Sequence, residues 1–304
     1  MYKHAVVFPG QGSQTVGMLA DVVDSYAVAK EALNEADEVL GFSLSDMILN
    51  GPAEDLNSTN NTQPALVAVE VALWRAINGK VEAEVMAGHS LGEYSALVCA
   101  GALTFESALK LVRRRGELMQ IAVPNGVGGM AAILGMEDAA VEQVCTEVAE
   151  GQVVQAANYN SPGQLVIAGN VEAVERAVAA CKEAGARRAM MLPVSGPFHS
   201  ALMEPAATEF EAYLSDFDLT APAIPVLQNA TNDFEIDPSV IRANLVKQIA
   251  SPVRWTQAVE QLADKGVENL VEVGPGKVLT GLNKRIVKSV SSTVVNSAAA
   301  IADL

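Results

Sequence analysis

The sequence predicts an α/β fold in which a large domain with a mainly parallel sheet carries a smaller domain inserted into it. Short apolar segments alternate with helical patterns along most of the 304 residues, and this alternation is typical of a parallel sheet covered by helices. A second observation predicts the insertion, because residues from about 126 to 194 follow a different rhythm between two stretches rich in turn residues.

The large domain is predicted to begin with a strand over residues 3–8 that runs into a glycine turn, PGQG, at 9–12. A strand over 84–88 enters GHSLG at 88–92, and a helix over 91–101 leaves it. This G-x-S-x-G pattern is typical of the nucleophile elbow, the sharp strand-to-helix turn that presents a serine in hydrolase-like domains. The remaining elements expected in this domain are helices over 17–39, 63–78, 104–121, 238–250, 255–264 and 277–287 and strands over 224–229, 269–273 and 292–296.

The inserted domain is predicted to span residues 126–194, so that 1–125 and 195–304 together form the large domain. Turn-rich stretches mark both ends, PNGVGG at 124–129 and PVSGP at 193–197. The apolar periodicity between them gives the order β-α-β-β-α-β, the split unit of ferredoxin-like domains. Its strands are expected over 130–135, 153–158, 164–168 and 187–192, and its helices over 137–149 and 171–184.

Composition argues against several classes of function. The formal charge of −16 and the isoelectric point near 4.6 disfavour a nucleic-acid binder, which would need a basic surface. The cysteines Cys99, Cys145 and Cys181 have neither metal-ligand nor disulfide spacing, so we expect reduced core residues of a cytoplasmic protein. No signal peptide, membrane span, metal site or cofactor is expected from this sequence.

A serine hydroxyl becomes a strong nucleophile only when a base accepts its proton, and histidine is the usual base. The chain has three histidines. His4 begins the first predicted strand and is expected to be structural, while alternation along a strand should turn His89 to the face opposite Ser90. His199, at the end of the insertion, is therefore the candidate base. The two residues would face each other across a cleft between the domains.

The residues around Ser90 in the sequence do not determine which molecule would accept an acyl group from this serine. Hydrolases of this type carry Ser, Asp or Glu, and His in that order along the chain. No acidic residue stands in a suitable turn after a strand, so a backbone carbonyl could orient His199 instead. The amide of Leu91, at a helix N-terminus, and that of Gln11, in the first glycine turn, are candidate donors to an oxyanion. Water and a second molecule both remain candidate acceptors.

Arg115 lies in line with the apolar positions of the helix predicted over 104–121, whereas Arg113 and Arg114 point to other sides. A guanidinium turned toward the interior needs an anion. Two interpretations follow: an ion pair with a carboxylate of the protein, or a bidentate clamp for a carboxylate of the substrate. The helical spacing does not decide between them.

Several motifs together resemble the malonyl-CoA:acyl-carrier-protein transacylases of bacterial fatty-acid synthesis, over nearly the whole chain. The resemblance implies transfer of a malonyl group from malonyl-CoA, through a malonyl-serine, to the phosphopantetheine thiol of holo acyl carrier protein in a ping-pong mechanism. The motifs are FPGQGSQ at 8–14, TQPAL at 62–66, GHSLGEYSAL at 88–97, RG at 115–116, NYNSPGQ at 158–164, GPFHS at 196–200, PV at 252–253 and EVGPGKVL at 272–279.

The same resemblance implies a role for each of seven residues. It places a backbone carbonyl where a hydrolase would have its acidic residue, and a phenylalanine before the histidine resembles the pattern of malonyl-selective members. The implied roles are the nucleophile for Ser90, the base for His199, the orienting carbonyl for Gln248, the oxyanion amides for Gln11 and Leu91, the carboxylate ligand for Arg115 and malonyl selectivity for Phe198.

Carrier proteins of this pathway are acidic, so an acidic enzyme needs a local basic patch to bind one. Scattered solvated bases are an equally good interpretation of the candidates. Two other functions stay open from the residues alone: a serine esterase or thioesterase that uses water, and a catalytically silent module that binds the carrier protein. The candidate patch residues are Lys284, Arg285, Lys288, Arg187 and Arg188.

Overall fold

The computed structural model describes residues 2–194 and 196–304, and these residues form two sheets. The larger sheet has six strands, of which only one edge strand is antiparallel to its neighbour. The chain is therefore an α/β protein with a mainly parallel sheet, as predicted. Across the sheet the strands are β10 (Ser291–Val295), β9 (Asn269–Val273), β1 (His4–Phe8), β2 (Val85–Gly88), β7 (Val226–Leu227) and the antiparallel β8 (Phe234–Glu235).

The central strand β1 explains where the site lies. Four of its five residues are apolar and fully buried, as expected for a parallel strand covered on both faces. It pairs with β2 so that Phe8 lies opposite Gly88, which aligns the carboxyl ends of the two strands. The glycine turn after β1 and the G-x-S-x-G turn after β2 therefore meet at one edge of the sheet, where open α/β sheets bind ligands.

Helices cover both faces of this sheet. Val6 and Phe8 belong to one apolar cluster while Ala5 and Val7 belong to another, because alternate residues of a strand point to opposite faces. The helices are α1 (Ala20–Ser25), α2 (Ala27–Leu40), α3 (Leu44–Asn50), α4 (Ala53–Leu56), α5 (Thr59–Ile77), α6 (Gly92–Cys99), α7 (Phe105–Ile121), α8 (Asp138–Val148), α9 (Val171–Glu183), α10 (Glu204–Leu214), α11 (Pro238–Ala250), α12 (Trp255–Asp264), α13 (Val278–Ile286) and α14 (Ala298–Ala302).

The second sheet is antiparallel and lies in the stretch predicted as an insertion. Its strands are β3 (Gly128–Leu134), β4 (Val154–Ser161), β5 (Gln164–Asn170) and β6 (Arg188–Met191), in the spatial order β4-β5-β3-β6. With α8 after β3 and α9 after β5, the chain order is β-α-β-β-α-β, and these elements enclose their own apolar cluster. We call residues 128–191 the inserted unit below.

Backbone hydrogen bonds join the inserted unit to the rest of the protein. The Val253 amide donates to the Ala157 carbonyl (2.8 Å), and the Tyr159 amide donates to the Val253 carbonyl (2.9 Å). The segment that precedes α12 thus pairs with β4 in the manner of a short parallel bridge. This link fixes one side of the space between the two sheets.

Some predicted elements differ from those observed. The helix predicted over 17–39 is two helices, because Tyr26 adopts an extended conformation (φ −130°, ψ 110°) between α1 and α2. The strand predicted over 224–229 shrinks to the two residues of β7. Helices α3, α4, α10 and α14 and strand β8 were not predicted. In α10 a signal existed, since Ala206, Phe210 and Leu214 recur at intervals of four and are buried.

Other expectations concern single residues. Cys145 and Cys181 are buried in the inserted unit, whereas Cys99 is partly buried and packs against the core beside the larger sheet. The predicted boundary residue Ser195 lies outside the described residues, and the domain boundaries stay a prediction. Within residues 2–194 and 196–304, no helix is both long enough and apolar enough to cross a membrane.

Two glycines make the G-x-S-x-G turn sterically feasible. A Cβ atom added to Gly88 would overlap the backbone of Gly92, and one added to Gly92 would overlap the Phe8 carbonyl group. The first turn of α6 thus packs directly on the ends of β1 and β2, closer than any side chain allows. This contact holds Ser90 at the edge of the sheet.

We predict that Gly92→Ala lowers the free energy of unfolding by about 3 kcal/mol or more, because its new methyl group meets backbone that has no room to move. Gly281→Ala is the matched control: Gly281 is an exposed position of α13 with open space around its Cα, so alanine there should stabilise by about 0.5–1 kcal/mol. Urea unfolding of both variants measures the difference, and equal stabilities would contradict the packing argument.

Candidate active site

Ser90 occupies the turn between β2 and α6 in a left-handed backbone conformation, with φ of 51°. Such values are uncommon for residues other than glycine and persist only where the surroundings enforce them. Asn229 contributes here: its Oδ1 accepts from the Ser90 amide (2.7 Å) and its Nδ2 donates to the Gly88 carbonyl (2.7 Å). The serine is thus held from two sides of the turn.

His199 lies beside this serine, with its Nε2 2.7 Å from the Ser90 Oγ. On its other side, Nδ1 lies 3.0 Å from the Gln248 carbonyl and 3.1 Å from the Ser251 carbonyl. Carbonyl oxygens only accept hydrogen bonds, so Nδ1 carries the proton and Nε2 is free to accept the proton of the serine. Two backbone carbonyls therefore fix the tautomer that a general base requires.

The imidazole of His199 is held in its neutral form. Its side chain is buried, and burial together with the positive charge of Arg115 lowers the pKa of His199 to about 3, although its two carbonyl contacts act in the opposite direction. A base that stays neutral over the physiological range is ready to accept a proton at every pH at which the enzyme would work.

Arg115 is buried, with 1% of its surface exposed, and its guanidinium points to the same serine. Nη1 donates to the Gln63 Oε1 (2.9 Å), and Nη2 donates to the Gln248 Oε1 (2.8 Å) and to the Ser90 Oγ (3.1 Å). Within the described residues it forms no ion pair with a carboxylate. Of the two interpretations offered by the sequence, the direct ion pair is therefore not observed.

The two amides predicted to bind an oxyanion border the same cleft. Leu91 stands directly before α6, and Gln11 stands in the turn after β1. The Gln11 side chain donates to the Thr59 Oγ1 (3.1 Å), which ties this turn to the start of α5. Neither backbone amide donates to another protein group in the described part of the chain. Both are available to a ligand.

The cleft has a volume of about 250 Å³ and opens between the two sheets. Phe198 lines it beside His199 and is 7% exposed. Ser90, His199 and Arg115 lie outside the inserted unit, which together with α13 supplies most of the remaining wall. Wall residues from these two sources include Met130, Asn158, Asn160, Gln164, Val166, Val278 and Leu282, and Leu192, directly after the inserted unit, lines the cleft as well.

His89 also lines the cleft, but its side chain turns away from the Ser90 hydroxyl. Its ring packs against Trp255, and its Nε2 lies 2.9 Å from the Asn160 Oδ1 of the inserted unit. Its ring bonds Asn160 rather than Ser90, and burial lowers the pKa of His89. His4 starts β1 and is exposed.

Sequence reasoning missed three further groups at the site: Asn229, Gln63 and the carbonyl of Ser251. Gln63 is fully buried on α5, one residue before Pro64, and its position in the TQPAL motif was the available signal. Asn229 and Ser251 follow a strand and a helix that are far from Ser90 in the chain. No local pattern marked either of them.

The predicted basic residues are all exposed, but they lie in two places. Arg285, in the last turn of α13, donates to the Gln164 Oε1 of the inserted unit (2.8 Å), and Gln164 also lines the cleft. Arg188 is the first residue of β6, where it pairs with Leu134. The cleft residue Leu192 follows the other end of this strand. Lys284, Arg285 and Lys288 thus belong to the α13 side of the cleft, and Arg187 and Arg188 to the far end of β6.

Among the residues that the structure describes, the Ser90 hydroxyl lies against a neutral imidazole, two backbone amides have no protein acceptor, and the buried guanidinium has no carboxylate partner. Together these groups can carry out one kind of chemistry. The imidazole activates the hydroxyl, the amides stabilise an oxyanion, and the guanidinium attracts an acyl group that bears negative charge. The fold and the site thus have the features of a serine-dependent acyl-transfer enzyme.

Comparison with known proteins gives the family. The acyl transferase domain family matches residues 5–302, and the chain belongs to it. It is 54% identical to the malonyl CoA-acyl carrier protein transacylase of Salmonella typhimurium, over 99% of this chain and 98% of that one.

Two solved structures are close in fold as well as in sequence. An acyl carrier protein S-malonyltransferase from Vibrio cholerae superimposes with a TM-score of 0.97 at 55% identity, over 99% of each chain. A malonyl-transacylase in complex with its type II PKS acyl-carrier protein also gives 0.97, at 50% identity over 99% of this chain and 98% of that one.

We predict that the buried neutral His199 makes stability fall as the pH is lowered below about 6.5. Its folded pKa lies below its unfolded value, so the unfolded chain takes up a proton that the folded chain refuses until about pH 3. At pH 4.5 this costs about 2–3 kcal/mol. Between pH 7.5 and 4.5, the free energy of unfolding of His199→Gln should therefore fall by about 2–3 kcal/mol less than that of the unmodified protein. Urea unfolding at both pH values measures this difference.

If the stability of His199→Gln falls with pH in parallel with that of the unmodified protein, His199 is not held neutral by burial.

Proposed function

We propose that this chain transfers the malonyl group of malonyl-CoA to the phosphopantetheine thiol of an acyl carrier protein through a malonyl-serine intermediate, supplying malonyl-carrier protein for fatty-acid synthesis. One observation carries the proposal: the Ser90 Oγ lies within hydrogen-bond distance of both the His199 Nε2 and the Arg115 Nη2. A nucleophile beside an unpaired buried cation suits an acyl group that ends in a carboxylate. The names of the relatives identify that group as malonyl and its acceptor as a carrier protein.

In the first half-reaction, His199 accepts the Ser90 proton at Nε2 while Oγ attacks the thioester carbonyl carbon. The carbonyl oxygen becomes an oxyanion and receives the amide hydrogens of Leu91 and Gln11. Each donor of this kind is worth about 3–4 kcal/mol of transition-state stabilisation. When the tetrahedral intermediate collapses, the carbon–sulfur bond breaks and His199 returns its proton to the coenzyme A thiolate.

The second half-reaction repeats these steps with a different thiol. The carrier-protein thiol enters the cleft, gives its proton to His199 and attacks the malonyl ester of Ser90. The serine oxygen leaves with the proton that His199 has just accepted, which restores the starting state. One histidine serves both halves because burial and the charge of Arg115 keep it neutral between them, while its two backbone carbonyl partners fix its orientation and tautomer.

Arg115 would hold the malonyl carboxylate through both halves. Its present acceptors are side-chain oxygens of Gln63, Gln248 and Ser90, which orient the guanidinium without cancelling its charge. An incoming carboxylate replaces uncharged contacts with a charge-assisted, bidentate one. An acyl group without a carboxylate would leave the buried cation unpaired, which disfavours it strongly.

A serine esterase or thioesterase is the second candidate, because the same groups could activate the malonyl ester toward water. The observation against it is that His199 is oriented by two carbonyls rather than by the carboxylate found in the hydrolase order. Transfer to a thiol is the function that the site and the relatives support together.

Carrier-protein binding would use the α13 side of the cleft. The net charge of −16 repels an acidic partner at long range. Lys284 and Arg285 lie in the last turn of α13, whose residue Val278 lines the cleft, so their charges are close to where the thiol must enter. Arg187 and Arg188, at the far end of β6, are less well placed for this role.

The finer description of the fold is part of the same proposal. We assign the six-stranded sheet with its strand-turn-helix around Ser90 to a hydrolase-like domain, and residues 126–194 to a ferredoxin-like insertion. The strand order β4-β5-β3-β6 supports the second assignment. A cytoplasmic location, expected from the three free cysteines, belongs to the proposal as well.

We predict that incubation with labelled malonyl-CoA loads the protein on Ser90, and that holo carrier protein then removes the label as malonyl-carrier protein. Ser90→Ala should abolish loading, while Ser95→Ala, at another buried serine of the same segment, should retain it. Gel and mass analysis of the protein and the carrier measure both steps. Rapid release of free malonate from the unmodified protein would identify a hydrolase, and serine-linked label in Ser90→Ala would refute the assignment.

We predict that Arg115→Ala lowers malonyl loading by at least a hundredfold and affects acetyl loading much less, because only malonyl brings a carboxylate to the guanidinium. The matched control is Arg114→Ala, one residue away on the same helix, where the side chain is partly exposed and pairs with Glu117 and Glu209. Loading rates with malonyl-CoA and acetyl-CoA give the ratio. An unchanged ratio in Arg115→Ala would rule out the clamp.

A further inference from the structure

Glu93 is a fully buried carboxylate close to the nucleophile that the mechanism above does not use. It is the second residue of α6, and 0% of its surface is exposed. Its Oε2 accepts from the Asn229 amide (3.0 Å) and from the Gln248 Nε2 (2.8 Å), while no donor of the described residues reaches its Oε1. A buried carboxylate is costly and calls for a reason.

Its contact with Gln248 determines how that side-chain amide is turned. The Nε2 group donates to the Glu93 Oε2 and to the Ser90 carbonyl (3.0 Å), and both of these atoms are acceptors. The oxygen of the amide must then face the other way, where it accepts from the Arg115 Nη2 (2.8 Å). If the Gln248 amide were reversed, its oxygen would face two hydrogen-bond acceptors and its NH₂ group would face the donors of the guanidinium, and neither contact could form a hydrogen bond.

The negative charge of Glu93 also lies near the Arg115 guanidinium, with the Gln248 side chain between the two groups. Arg115 forms no ion pair within the described residues, and Gln248 stands between the two charges. The anion therefore attracts the cation without occupying the positions at which a substrate carboxylate would bind. An ionised Glu93 and a Gln248 fixed in one orientation together hold the Arg115 N–H groups in place.

We propose that Glu93 is a positioning residue: by fixing the side-chain amide of Gln248 it orients Arg115 toward the carboxylate of the acyl group, and so sets the preference for malonyl over uncharged acyl groups. The inference rests on the proposed function. The same carboxylate also holds the Asn229 backbone, and Asn229 holds the Ser90 amide. The clamp and the nucleophile therefore share one buried anchor.

The titration of Glu93 offers a readout for this role. Burial raises the pKa of Glu93 to about 7, against the opposing effect of its two donors and of Arg115. The groups that face it are Asn229, Gln248, Arg115 and Tyr94; burial raises the pKa of Tyr94 and lowers that of Arg115. His199, whose pKa is about 3, does not titrate in the range around pH 7. Protonation at Oε1 would remove the negative charge that faces Arg115 and weaken the two hydrogen bonds to Oε2, so malonyl loading should fall as the pH drops through 7.

The experiment compares Glu93→Gln with Glu70→Gln in the full-length protein. Glu70 is also a glutamate with no exposed surface, on α5, and its carboxylate accepts no hydrogen bond from any residue that the structure describes. Single-turnover loading of Ser90 is followed with malonyl-CoA and with acetyl-CoA between pH 5.5 and 8.5. In Glu93→Gln we expect the malonyl-to-acetyl ratio to fall at least tenfold and the decline near pH 7 to disappear. Glu70→Gln should keep both the ratio and the decline.

Three outcomes would overturn the inference. Equal losses of loading with malonyl-CoA and with acetyl-CoA in Glu93→Gln would indicate a structural role only. An unchanged malonyl-to-acetyl ratio and an unchanged pH profile would indicate no role. If Glu93→Gln does not fold, the unmodified protein decides: its malonyl-to-acetyl ratio must fall as the pH drops through 7, and a constant ratio refutes the proposal. A protein that folds but never loads malonyl would instead refute the proposed function itself.

Discussion

A buried guanidinium bonded only to uncharged oxygens is the constraint on which the rest of the site depends. Removing such a charge from water costs several kcal/mol unless neighbouring groups compensate, and the compensation at Arg115 comes from side-chain oxygens of Gln63, Gln248 and Ser90. Two of these acceptors are held by further groups: Glu93 accepts from the Gln248 amide, and Asn229 accepts from the backbone amide of Ser90. The site is thus a connected set of hydrogen bonds in which a carboxylate of the substrate would complete the balance of charge.

The sheet brings the members of this set together. Because β1 and β2 end in register, the turn that carries Gln11 lies beside the turn that carries Ser90. The segment after β7 supplies Asn229, and α11 supplies Gln248. Helices α5 and α7 bring Gln63 and Arg115 to the same point. The inserted unit closes the cleft above them and contributes little to the reactive groups.

Local patterns in the sequence predicted three candidate residues that the structure brings together around the Ser90 Oγ. The strand-to-helix pattern predicted Ser90, the scarcity of histidines singled out His199, and helical spacing turned Arg115 inward. They could not predict which side chains support these groups. Asn229 and Glu93 act through contacts between segments more than a hundred residues apart, and such contacts exist only after folding. Tyr26 likewise breaks a helix that periodicity alone extends, and only the resemblance to a family suggested malonyl.

The backbone at the reacting pair has a consequence for how this chain can change over generations. Ser90 and His199 both have positive φ, 51° and 59°, a conformation that costs residues other than glycine about 1–2 kcal/mol. Glycine would relieve both turns and remove both reactive groups. Selection for thermal stability alone would therefore favour inactive descendants, and only continued demand for the product would keep the two strained positions as they are.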